Sequence, residues 1–131
     1  MMADVPSELN LRNYLTREEY EVCVNRGTER PFSGNLLYNK DKGIYCCKCC
    51  GTMLFDSDQK YDSHSGWPSF WAPLNEENIT KKIDNDLGIT RIEVVCSKCG
   101  CHLGHVFDDG PKPTGLRYCI NSLSLNFEKS T

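Results

Sequence analysis

The sequence predicts a mainly β protein: two small antiparallel β-sheets packed together, a short N-terminal helix, and paired metal knuckles. Three features predict it. Beyond residue 27 no long stretch sustains the 3.6-residue apolar period of an amphipathic helix. That same region carries short apolar and β-branched runs broken by Gly, Pro, Asn and Asp, the pattern of strands joined by turns. Two Cys-x-x-Cys-Gly units stand on either side of a β-rich segment, and such units hold one metal ion between two distant loops.

The elements follow in order. Residues 1–15 read as an N-terminal extension, polar to about residue 13 and flexible or loosely helical. Thr16 and Glu19 have the spacing of a capping box, so a helix starts there. It runs to about Asn25 and stops at Gly27, a natural C-terminal cap. Tyr20 and Val24 share one of its faces. Residues 27–34 are a loop by their Gly and Pro content. A short strand over 36–38, a hairpin turn over 39–43 and a returning strand over 44–47 come next. Further strands are expected at 53–55, 79–83, 89–95, 102–107, 116–121 and 123–127. The clean alternation over 123–127 gives that strand one packed and one wetted face. The chain from 1 to 131 reads as a single domain.

Bulk properties narrow the function. A formal net charge of −3 with scattered Lys and Arg offers no footprint for nucleic acid or an anionic membrane. No apolar run approaches a membrane span. The first residues lack the basic start and apolar core of a secretory signal. The expected place is therefore the cytoplasm or nucleus, or an organelle if a presequence has been removed. Nine cysteines are many for this length, and an odd number excludes full pairing within one chain. In a reducing compartment they point to metal binding or redox chemistry.

The first Cys-x-x-Cys unit is ambiguous, because Cys46/Cys49 and Cys47/Cys50 both satisfy the spacing. Cys50 and Cys99 are each followed by a glycine, the residue that suits the left-handed backbone under a metal. The matched frame is Cys47, Cys50, Cys96 and Cys99, one structural Zn²⁺ per chain with no open position. A pair of redox-active Cys-x-x-Cys units is the alternative.

Strand alternation over 116–121 puts Arg117, Cys119 and Asn121 on one face and Tyr118 and Ile120 on the other. A thiol beside a guanidinium is favoured as thiolate, its reactive form; an inert buried cysteine is the alternative. His102 and His105 are not needed to complete a four-thiolate site, which leaves them as proton donors near neutral pH. Trp67 precedes Pro68 in a Gly/Pro loop and either caps the core or serves a site. His64 stands in the same polar loop, either solvated or at the mouth of a site.

Several long motifs occur together: Gly27-Thr28-Glu29-Arg30-Pro31-Phe32-Ser33-Gly34, Gly66-Trp67-Pro68-Ser69-Phe70, His102-Leu103-Gly104-His105-Val106-Phe107 and Arg117-Tyr118-Cys119-Ile120-Asn121-Ser122. In these the chain, from about residue 16 to 128, resembles the B-type methionine sulfoxide reductases, specific for the R epimer. The resemblance implies an Mss4-like β fold with structural zinc. It implies Cys119 as nucleophile, with His102, His105 and Asn121 holding the sulfoxide oxygen and Asp109 and Arg117 tuning the site. Trp67, with Phe107 and His64 near it, would form the substrate pocket. The implied partners are oxidised proteins carrying methionine-R-sulfoxide, and thioredoxin or another thiol reductant, with the enzyme a monomer. The chemistry is coherent: a sulfoxide sulfur is a poor electrophile until its oxygen accepts a proton, and attack leaves a cysteine sulfenic acid, reversible by thiols.

One departure stands out. Many members carry a resolving cysteine between the glycines before the Trp-Pro pair, and here that place is Ser65. Either another cysteine resolves Cys119, with Cys23 on a mobile N-terminal segment the first candidate, or an external thiol reduces the sulfenic acid directly. Two non-enzymatic readings compete: a zinc-stapled β module that binds a protein partner, and a nucleic-acid zinc ribbon. Neither explains Arg117-x-Cys119-x-Asn121 together with two histidines and Trp67, and the net charge opposes the second.

Overall fold

The computed structural model describes residues 8–130. The first part of the N-terminal extension, 1–7, lies outside them. Glu8–Tyr14 forms helix α1, and Leu11 and Leu15 pack against the hydrophobic core. Helix α2, Arg17–Cys23, starts where the capping box places it. Thr16 Oγ1 accepts from the Glu19 amide at 3.1 Å and the Glu19 carboxylate accepts from the Thr16 amide at 2.9 Å. The helix ends two residues before the expected Asn25. Arg26, at φ 61°, makes the left-handed turn expected of Gly27. Gly27 is needed for closeness instead: its amide donates to Glu21 O at 2.9 Å, and a Cβ there would stand 2.9 Å from that same oxygen.

Among the described residues nine strands follow: β1 Gly43–Cys47, β2 Met53–Asp56, β3 Lys60–Tyr61, β4 Ser69–Phe70, β5 Ile79–Asp84, β6 Arg91–Cys96, β7 His102–Phe107, β8 Arg117–Ile120 and β9 Leu125–Lys129. Residues 36–38 form a turn, not the expected strand. The Leu37 amide donates to Gly34 O at 3.3 Å and the Asn39 amide to Leu36 O at 3.2 Å, so this backbone is spent locally. Residues 39–43 accordingly lead into β1 without a hairpin. β3 and β4 were not expected, since two residues are too few to show alternation. β9 begins at Leu125 because Ser122–Ser124 is wound into a 3-10 turn.

The strands make two antiparallel sheets, one ordered β2-β1-β9 and the other β3-β4-β8-β7-β6-β5. Aromatic side chains join them. Phe55 of the first sheet stacks on Phe70 of the second, with centroids 4.3 Å apart. Tyr45 meets Phe70 edge-on at 5.1 Å, and Phe55 reaches Tyr118 at 5.9 Å. All four are fully buried, and such contacts add to the burial of large apolar area. Tyr118 and Ile120 point into this core, so alternation turns Cys119 to the other face of β8.

β7 carries a bulge. Val94 pairs with Gly104 but the next residue, Val95, pairs with His102, so Leu103 is the extra residue. Strict alternation would send His102 and His105 to opposite faces. The added residue resets the phase, and their rings lie 5.6 Å apart. Among the described residues no helix is long and apolar enough to cross a membrane.

Candidate active site

Cys119 sits in mid-sheet, paired with Ser69 of β4 on one side and directly with His105 of β7 on the other. It opens into a small cavity of about 90 Å³. His105, Phe107, Asn121 and Trp67 line that cavity with it, as do Thr28, Arg91 and Gly104. The structure thus gathers Cys119, His105, Asn121, Trp67 and Phe107 at one place.

Burial pushes the Cys119 thiol up from its ordinary value; the Ser65 hydroxyl and the Arg117 guanidinium pull it down without reversing that rise. Burial thus opposes the thiolate that the neighbouring guanidinium is expected to favour. Ser65 Oγ lies 3.9 Å from Cys119 Sγ. Arg117 is held by two further partners. Its Nε and Nη2 clamp Asp109 at 2.9 and 3.2 Å, and its guanidinium lies 4.4 Å over the Phe107 ring. Asp109 and Arg117 do not line the Cys119 cavity; they face a neighbouring cleft with Ser65 and Tyr61.

The two histidines differ. His105 Nε2 bonds Asp84 Oδ2 at 2.8 Å. That hydrogen bond, with the Asp86 amide and the Arg91 charge, holds the Asp84 carboxyl down at about 2. Asp84 is therefore a carboxylate that accepts from Nε2–H, and the other ring nitrogen is left for the cavity. His102 is buried away from the cavity lining. Its Nδ1 bonds Glu93 Oε2 at 2.7 Å, and burial depresses its pKa despite Glu93. Its Nε2 is buried with no hydrogen-bond partner. The two histidines expected together at the sulfoxide oxygen are thus placed differently: His105 lines the cavity and His102 does not. Arg26 ties the two carboxylates together, 3.2 Å from Glu93 and 3.5 Å from Asp84.

Asn121 and Trp67 are fixed by one loop. Asn121 Oδ1 accepts from the Glu29 amide at 3.0 Å, and its Nδ2 donates to Leu103 O at 3.0 Å. One Nδ2 hydrogen remains available for a ligand. Trp67 Nε1 donates to Glu29 O at 3.0 Å, and the Glu29 carboxylate accepts from the Leu123 amide at 2.9 Å. The loop at 27–34 therefore binds the indole to the end of β8.

Two expected residues are not brought to the site. His64 is highly exposed, left-handed at φ 60°, and faces Asp62 at 3.5 Å. The polar loop solvates it, and it does not line the cavity. Cys23 is not on a mobile segment: it ends a capped, packed helix and is buried, 3.5 Å from Leu123 O. Cys46, Cys49 and Cys101 are also buried, and none of them lines the Cys119 cavity. Sequence reasoning missed Asp84, Glu93 and Glu29. Glu93 left a signal, a charge inside the apolar run Ile92-Glu93-Val94-Val95, which needs a buried partner. Asp84 and Glu29 left none.

The Sγ atoms of Cys47, Cys50, Cys96 and Cys99 lie within 4.8 Å of one another. The two knuckles repeat one hydrogen-bond pattern. Gly51 donates to Cys47 O at 2.9 Å and Gly100 to Cys96 O at 2.8 Å, while Cys47 and Cys96 donate to Thr52 O and Cys101 O at 2.8 and 2.9 Å. Gly51 and Gly100 are left-handed, at φ 82° and 80°, which selects the Cys47/Cys50 frame. Four convergent sulfurs on preformed turns fit a metal ion.

Known proteins match this arrangement over nearly the whole chain. The SelR domain matches residues 15–129. A peptide methionine sulfoxide reductase MsrB of Methanosarcina mazei is 58% identical over 123 residues, covering 94% of this chain and 88% of the relative. The MsrB of Methanosarcina barkeri is 57% identical over 122 residues, covering 93% and 86%. That of Hahella chejuensis is 55% identical over 124 residues, covering 95% and 89%. With the cysteine, the indole and the imidazole gathered in one cavity, the chain belongs to the SelR-domain family, the B-type methionine sulfoxide reductases.

Proposed function

We propose that this chain reduces methionine-R-sulfoxide in oxidised proteins to methionine, with Cys119 as nucleophile and His105 as proton carrier to the sulfoxide oxygen. The observation that carries the reading is the direct pairing of Cys119 with His105 across β7 and β8, beneath Trp67 and Phe107. The cavity suits the small methyl sulfinyl end of a side chain. The methyl group rests on the indole face, the oxygen meets His105 and the free Asn121 N–H, and the peptide leaves through the opening. Three distinct contacts around a chiral sulfur distinguish its two epimers.

The reaction balances with Cys119 starting as a thiol. Cys119 Sγ forms a bond to the substrate sulfur as its proton passes, through His105, to the sulfoxide oxygen. The S–O bond and the new Sγ–S bond of the adduct then break as the hydroxyl passes to Cys119. Methionine leaves with its sulfur reduced by two electrons, and Cys119 becomes a sulfenic acid oxidised by two. Asp84 fixes the His105 tautomer and stabilises the imidazolium while it carries the proton.

Ser65, 3.9 Å from Cys119, cannot form a disulfide. An external thiol, from thioredoxin or a small-molecule reductant, attacks the sulfenic acid and expels water. A second thiol then releases Cys119 by disulfide exchange. Cys47, Cys50, Cys96 and Cys99 would hold a Zn²⁺ ion that pins β1 to β6 and takes no part in the chemistry. The test is an assay of the separated epimers of a blocked methionine sulfoxide. Turnover of R alone, lost in Cys119→Ser, is the expected result; equal turnover of both epimers refutes the proposed pocket.

A further inference from the structure

Four cysteines belong neither to the Cys119 cavity nor to the four-cysteine knuckle pair, Cys23, Cys46, Cys49 and Cys101, and all but Cys46 cluster. Cys23 closes α2, Cys49 stands between two knuckle cysteines, and Cys101 follows the second knuckle. All three are buried, and their Sγ atoms lie within 4.8 Å of one another. Helix α2 brings them together by packing over β7 and the turn at Ser122–Ser124. Cys23 Sγ lies 3.5 Å from Leu123 O and 3.8 Å from Ser124 Oγ.

Two further observations bear on this group. A cleft of about 240 Å³ reaches it, with Leu11 and Val24 as apolar walls, so a small ion has a way in. Cys99 lines the same cleft. It also belongs to the four-cysteine set. Through Cys99 the four-cysteine set reaches the same cleft as Cys23, Cys49 and Cys101.

We infer that Cys23, Cys49 and Cys101 form a second thiolate site for a soft divalent d10 cation, Zn²⁺ or Cd²⁺, with Cys99 as its shared fourth sulfur. The inference rests on reading Cys47, Cys50, Cys96 and Cys99 as a metal site. Ions of this class favour sulfur and accept tetrahedral coordination. Seven sulfurs are what two tetrahedral ions require when they share one. Each thiol gives up its proton to solvent as the ion binds. Buried thiolates need compensating positive charge, which favours a divalent ion over a monovalent one. Such an ion would tie the end of α2 to both knuckles. The loop that leaves α2 carries Glu29, the partner of Trp67 and Asn121, so the ion would steady the substrate cavity from behind.

The test is a Cd²⁺ titration of the whole chain under reducing conditions, read by thiolate-to-metal charge-transfer absorbance and native mass spectrometry. The expected result is two ions per chain, falling to one in Cys23→Ser and in Cys101→Ser and staying at two in Cys46→Ser. In the loaded wild-type protein, Cys23, Cys49 and Cys101 are expected to resist alkylation while Cys119 reacts. One ion per wild-type chain, with Cys23, Cys49 and Cys101 open to alkylation, overturns the second site and leaves the first. No bound ion overturns both. Two ions retained in Cys23→Ser and Cys101→Ser would put the second ion elsewhere and overturn the assignment. The wild-type count and alkylation map decide the question even if a variant fails to fold.

Discussion

Replacing Asn121 with alanine tests how the cavity is held. The substitution removes two buried hydrogen bonds, from the Glu29 amide to Oδ1 and from Nδ2 to Leu103 O, each 3.0 Å long. Leu103 O keeps a partner, the Asn121 amide at 2.9 Å, so this loss is only the net value of a bond, about 0.5–1.5 kcal/mol. The Glu29 amide keeps none, and an orphaned buried donor costs about 1–3 kcal/mol. The expected destabilisation is about 2–4 kcal/mol. It should appear in urea as a lower midpoint with unchanged slope. The loop freed at Glu29 also carries the acceptor for Trp67 Nε1, so kcat/KM should fall about tenfold or more, on the order of 1.4 kcal/mol. Loss of activity with a stability change within about 0.5 kcal/mol, the range of ordinary surface substitutions, would refute the clamp and leave Asn121 acting on substrate alone.

Other consequences can be measured separately. Alkylation of Cys119 in the free enzyme should be slow at neutral pH and rise as pH passes the ordinary cysteine range, because burial raises its pKa. In Arg117→Met the rise should move higher still, and a fast thiolate at pH 7 would contradict this. Asp84→Asn should lower kcat more than it raises KM, since Asp84 touches His105 and does not line the cavity. Asp84 titrates near 2 in the fold and about 3.9 unfolded. Its stabilising effect is therefore present above pH 4 and lost as pH falls through about 2, a component that Asp84→Asn should lack in acid unfolding. A strong chelator should abolish cooperative unfolding, because Cys47 and Cys96 sit fully buried in the core; an unchanged melting curve would contradict a structural metal.

Much of this was legible because one-dimensional rules applied where they should. The capping box at Thr16 and Glu19 marked α2, and alternation placed Tyr118 and Ile120 inward and Cys119 outward. The glycines after Cys50 and Cys99 chose the knuckle frame. What escaped depends on tertiary contact. The bulge at Leu103 exists only through pairing with β6, and it alone brings His102 and His105 to one face. The sequence puts Arg117 beside Cys119 but does not show that the Asp109 carboxylate and the Phe107 ring hold its guanidinium. Cys23 looked mobile because the seating of α2 over Leu123 and Ser124 involves residues a hundred positions away.

The most direct measurement is a single turnover without reductant. Enzyme is mixed with one equivalent of the R sulfoxide, and the products are read by intact mass and by a sulfenic-acid trap. The account predicts one equivalent of methionine and one added oxygen, trapped at Cys119. Methionine formed by Cys119→Ser, or the oxygen found on another residue, would contradict it.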